Sequence, residues 1–144
     1  KTGKVLLGDS GLLCHLAGLN AARLRTDDLM AGAVLESFVA NELTKQISWS
    51  RRRPALYHYR AHTQQEVDFV LEDAAGKLVG IEVKKTASPN AGDFKGLRHL
   101  SEVTGKRFVR GILLHAGSAT VAFGQNLYAV PVSALWRVAG NERS

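Results

Sequence analysis

The chain has 144 residues, 45% of them hydrophobic, with 19 lysines and arginines against 13 aspartates and glutamates, a net charge of +6 and a pI of about 9.8. That length holds one domain with a real core, and no apolar run is long enough to cross a membrane. The basic balance favours an anionic partner, nucleic acid first, and a single cysteine, Cys14, cannot form an internal disulfide and suits a reducing cytoplasm.

In chain order, the start at Lys1 without methionine or signal peptide reads as a fragment or a processed chain. "DSGLLCHLAGL" predicts a short helix over about 10–18, capped by Asp9 or Ser10 and ended by Gly18, with Cys14 in a packing role. A connector follows. "DDLMAGAVLESFVANELTKQI" carries the strongest helical pattern: Met30, Val34 and Phe38 step by four, as do Leu35, Val39, Leu43 and Ile47. Asp27 and Asp28 suit its N-terminus through capping and the dipole, and "SWSRRRP" breaks it. "ALYHYR" predicts a strand with Ala55, Tyr57 and Tyr59 on one face, and "AHTQQ" a loop.

"EVDFVLEDAAGKLVGIEVKKT", residues 66–86, alternates with period two on both sides of "DAAGK", which predicts a hairpin. Val67, Phe69 and Leu71 then face one way and Glu66, Asp68 and Val70 the other; Val79, Ile81 and Val83 oppose Gly80, Glu82 and Lys84. A loop over Asp73 to Lys77 sets Asp68 across from Glu82 and Glu66 across from Lys84. Facing carboxylates repel. A divalent cation offsets this, since Mg²⁺ is held by one or two carboxylates together with waters and phosphate. Lys84, on the same face, could meet a phosphate or a metal-bound water. The same charges also fit a solvated face with a Glu66–Lys84 ion pair of little worth.

"KTASPNAGD" predicts a loop. Residues 92–103 predict a helix with Phe94, Leu97, Leu100 and Val103 as its apolar stripe, and "RFVRGILLH" a buried strand. "ATVAFGQNLYAVP" holds one or two short strands, and "VSALW" a last short helix. Three strands in a meander, a crossover helix and a strand parallel to one of them give an α/β fold with a central mixed sheet flanked by helices. Basic clusters at Arg51-Arg52-Arg53, Lys84-Lys85 and Lys106-Arg107 with Arg110 fit a nucleic-acid surface or a generally soluble one equally well. His58 and His62 lie on a strand and a loop that do not gather them, Gln65 could reach a phosphate, and Ser10 and Cys14 have no acid–base partner.

The element order, with an acid on one strand and Glu-x-Lys on the next, resembles the PD-(D/E)xK nuclease superfamily of restriction-endonuclease-like fold over about residues 29–115. More narrowly, "DSGLL", "GAVLESFVANEL", "YHYR", "EVDFVLE" and "GIEVKKT" resemble the uncharacterised C-terminal domain of bacterial and archaeal AAA-type ATPases, over nearly the whole chain. The resemblance implies a helical lead-in over 1–28, a nuclease-like domain over 29–144 and an ATPase domain upstream. It puts the strand acid at Asp68, the Glu-x-Lys pair at Glu82 and Lys84, and the helix acid at Glu36, the last also fitting a solvated helix position. Mg²⁺ or Mn²⁺ would then sit on Asp68, Glu82, the Val83 carbonyl and Glu36, with DNA as substrate and Arg51, Arg52, Arg53, Lys84 and Lys85 contacting it. Val67 stands where the superfamily often has proline. No Walker-type phosphate loop is present, "KTGK" lacking the spacing, so no ATPase activity is expected of these residues. The alternative is a non-catalytic DNA- or protein-binding accessory domain of the ATPase, or a structural and oligomerisation module, in a cytoplasmic protein.

Overall fold

The computed structural model describes residues 28–135. Helix α1 spans Asp28–Trp49; strands β1 (Ala55–Arg60), β2 (Glu66–Glu72) and β3 (Leu78–Val83) follow. A 3-10 turn at Ala91–Phe94 leads into α2 (Lys95–Thr104), and β4 (Phe108–His115), β5 (Val121–Gly124) and β6 (Leu127–Pro131) complete the domain. The helix expected at 10–18 and most of the one expected after Pro131 lie outside the described residues.

Six strands form one mixed sheet in the order β1-β2-β3-β4-β6-β5. β1, β2 and β3 pair antiparallel, as a meander must. The α2 crossover returns the chain to the same end, so β4 runs parallel to β3, and β6 parallel to β4. The hairpin register is the one that the Asp73–Lys77 loop dictates: Phe69 opposes Ile81 and Glu72 opposes Leu78. Asp73 Oδ1 accepts from the Ala75 and Lys77 N–H groups, and Gly76 takes φ +80°, which its lack of a Cβ permits.

Alternation along β3 sorts the core. Val79, Ile81 and Val83 join Phe69 and Leu114 beneath α1, against Val39 and Leu43. Leu78 faces the opposite way, with Val67, Val70, Leu97, Leu100 and Phe94 around α2. Three expectations need correction. The stripe of α2 stops short: Phe94, Leu97 and Leu100 are buried, but Val103 is 61% exposed because the helix leaves the sheet in its last turn. That helix also begins later than residue 92, at Lys95, after a 3-10 turn capped reciprocally by Asn90 and Asp93. Strict alternation fails in β2. Tyr57 pairs with Val70 but Tyr59 with Val67, so Asp68 and Phe69 together oppose His58. This β-bulge turns Val67 to the α2 side with Val70, while Phe69 faces α1.

Candidate functional site

The bulge falls where the β2–β3 ladder ends. Past the Phe69–Ile81 pair the backbones no longer bond to each other; the carboxylates bond in their place. The Asp68 N–H donates to Glu82 Oε1 at 3.0 Å, and the Val83 N–H donates to Asp68 Oδ2 at 2.8 Å. The Phe69–Ile81 register carried one step further sets Asp68 across from Glu82, and each acid reaches the other strand's backbone, which orients both and eases their repulsion. His58 Nδ1 lies 3.3 Å from the Asp68 carbonyl oxygen, and as Nδ1–H it donates there.

These acids line a cavity of about 800 Å³ at this end of the sheet. Glu82 is 7% exposed, and its Oε2 stands 3.9 Å from Lys84 Nζ. The Glu66–Lys84 pair does not form. Arg60 Nε takes Glu66 Oε1 at 3.1 Å instead, because Lys84 has turned to Glu82 once the ladder opens. From α1, Gly32, Ala33 and Glu36 supply one wall, positions that the helical repeat puts on one face; Glu36 Oε1 is buried. Val83 and Lys85 also line the cavity.

The structure thus brings Glu36, Asp68, Glu82, Val83, Lys84 and Lys85 to one place. It does not bring Arg51, Arg52 and Arg53 there. They precede β1, whose first residue pairs with Glu72 at the opposite end of the hairpin, about 20 Å away by strand rise. Two contributors escaped sequence reasoning. The β1–β2 turn lines the cavity with Thr63, Gln64 and Gln65, where only Gln65 carried any signal. Lys95, in the first turn of α2, lines it too. A cation at a helix N-terminus opposes the dipole, and that mismatch was the available clue.

The donor set can be tested against a metal. Among the described residues no three His, Cys, Asp or Glu side chains gather into a closed ligand group, and Glu36 lines the same cavity as Asp68 and Glu82. Two oriented carboxylates beside open space fit a hard cation that keeps several waters, such as Mg²⁺ or Mn²⁺, better than a caged one.

A mixed sheet with helices on both faces and an open, charged cavity at the end of its central hairpin defines an α/β domain of site-bearing type. Residues 31–135 match the family described as a domain of unknown function, DUF4143, and the chain belongs to that family. Uncharacterized proteins of Mycobacterium bovis (Mb2031c) and Mycobacterium tuberculosis (Rv2008c) are each 24% identical to it over 91% of the chain, which spans 28% of their length. A solved chain in the half-complex from a tetradecameric assembly of Thermococcus gammatolerans McrB AAA+ hexamers with bound McrC is similar in fold. Its TM-score is 0.53 at 10% identity, over 78% of this chain and 33% of that one. No helix among the described residues is long and apolar enough to cross a membrane.

Proposed function

We propose that this domain hydrolyses phosphodiester bonds of DNA with Mg²⁺ or Mn²⁺, using a PD-(D/E)xK-like site on a restriction-endonuclease-like core, as part of a larger ATPase. The observation that carries the reading is the crossed carboxylate pair, Asp68 and Glu82, at the mouth of the opened hairpin with Lys84 beside it. The association with an ATPase draws support from the fold shared with a chain of the McrB–McrC assembly, and the chain spans only 28% of the length of the mycobacterial relatives. A homo-oligomeric assembly is compatible with the same neighbour.

In this reading Asp68 and Glu82 would hold the cation, with the Val83 carbonyl and Glu36 as the further residues around it. A bound ion would supply a Lewis acid for the phosphoryl oxygens and a water of lowered pKa. Lys84, half-exposed and tethered only loosely to Glu82, swings to the phosphate and neutralises charge that grows on its oxygens in the transition state. Lys85 and Lys95 add positive charge around the same cavity. Supercoiled plasmid tests this: nicking by the parent chain in Mn²⁺, lost in EDTA and in Asp68→Asn, supports it. Intact plasmid with the parent at every metal concentration sinks it.

Among the described residues no three His, Cys, Asp or Glu side chains form a group that could hold a metal, which favours a second reading. There the domain binds DNA or a protein partner for the ATPase without cutting. DNA binding that persists unchanged without metal, together with no nicking, would select it.

A further inference from the structure

We infer that the outer edge of β1 is a track for the DNA backbone, leading from an arginine cluster at the far end of the sheet to the carboxylate cavity. This rests on the nuclease reading above and adds the path of its substrate. β1 is the last strand of the sheet, and among the described residues its outer edge has no neighbour. Long free edges invite pairing with other strands, and natural proteins guard them with charge. Here the guard is basic at both ends. Arg51, Arg52 and Arg53 lead into the strand and are all exposed. Arg60 closes it at the cavity, bridged to Glu66.

Large apolar side chains also stand exposed along this path. Trp49, just before the arginines, is 58% exposed, and Tyr57, midway along β1, is 53% exposed. Alternating cations and aromatics fit a nucleic acid, whose phosphates and bases meet each kind in turn. An acidic protein surface would not need the aromatics. The strand starts reinforce the far end. β1, β3 and β4 run in the same direction, so Lys77, Lys106 and Arg107 lie at that end too. Six cations gather there against three carboxylates, Glu72, Asp73 and Glu102, with Arg107 paired to Glu72.

Arg53 gives a second and independent indication. It holds φ +40°, in the left-handed region that favours glycine. A side chain other than glycine in that region is a strained backbone position of the kind that gathers at functional sites, and here the side chain is an exposed cation. The span from Arg53 to Arg60 is about 20 Å, which matches about six base pairs at 3.4 Å each along one strand. The substrate footprint should therefore reach about that far to one side of the scissile phosphate.

The test is binding of a labelled generic-sequence duplex, 20 base pairs long, across a salt series, followed by fluorescence anisotropy in Ca²⁺ to prevent cutting. The parent, the Arg51→Ala/Arg52→Ala/Arg53→Ala variant and Arg53→Gly are compared. The log–log slope against salt should flatten by up to about 0.9 per arginine removed. Arg53→Gly should flatten it while its melting temperature stays level or rises, which a merely structural arginine would not allow. A parent that binds with steep salt dependence and a triple variant of unchanged slope overturns the track while leaving the nuclease reading in place. A lower melting temperature in Arg53→Gly also overturns it. No binding by the parent at low salt removes the DNA reading itself.

Discussion

Gly96 sits at the first turn of α2, where the helix presses on the strand that carries Asp68. A Cβ built there would stand 2.0 Å from the Glu66 carbonyl oxygen, a distance that backbone cannot tolerate. Gly96→Ala must push α2 off β2, and overpacking of this kind costs about 1–3 kcal/mol. A urea titration should show that loss in its midpoint. If the carboxylate reading is right, any stabilisation by Mn²⁺ should shrink as well, because Glu66 is two residues from Asp68. Gln64 presents the opposite case. It holds φ +72° in the β1–β2 turn with its side chain exposed at the cavity. Relief of that backbone offsets the extra unfolded-state freedom of glycine, so Gln64→Gly should leave thermal stability within about 1 kcal/mol of the parent. A clear drop in the melting temperature would mean that the Gln64 side chain holds the turn.

At the scale of elements, α1 is held by a narrow apolar face. Val39 is fully buried and Leu43 nearly so, packed towards Phe69, Ile81 and Leu114. Leu43→Ala should cost about 2–5 kcal/mol by deleting buried methyls and leaving a cavity, read as a fall in the denaturation midpoint; a change under 0.5 would show that α1 is not docked as described. The helix and the β2–β3 hairpin were legible because their signals are local: a four-residue apolar step, and an Asp and a Gly five residues from strand to strand. The bulge at Asp68 was not, since it comes from pairing with β1, and nothing inside "EVDFVLE" records a partner's register. The same bulge moves Val67 to the α2 side and sets the acids reaching for each other's backbone. The exposure of Val103 escaped for a like reason, because a helical stripe does not say where its sheet ends. The distance of Arg51–Arg53 from the cavity, by contrast, was within reach. An antiparallel meander obliges the start of β1 to lie by the end of β2, at Glu72, and so away from Asp68.

For the whole molecule, charge is divided by place. Cations crowd the strand-start end, while the other end buries Glu82 beside Asp68 with Lys84 only 3.9 Å away. Two backbone N–H groups orient these acids but do not neutralise them. A divalent cation that binds the folded domain and not the unfolded chain stabilises it by mass action, about 2.7 kcal/mol at a hundredfold excess over Kd. Thermal melts in rising Mn²⁺ should therefore climb by several degrees for the parent. Asp68→Asn should lose most of that climb, yet its metal-free melt should stay near the parent's. The asparagine oxygen can still accept from the Val83 N–H, and a like charge beside Glu82 has gone. Lys84→Ala should part the two properties: removal of a competing cation leaves Mn²⁺ binding equal or tighter, while nicking falls because phosphate charge is no longer neutralised. The three chains together discriminate. If the parent melt ignores Mn²⁺ and Asp68→Asn simply melts lower, the acids serve the hairpin, with the Asp68 carboxylate holding the Val83 N–H where the ladder opens, and the domain's work lies in its basic end.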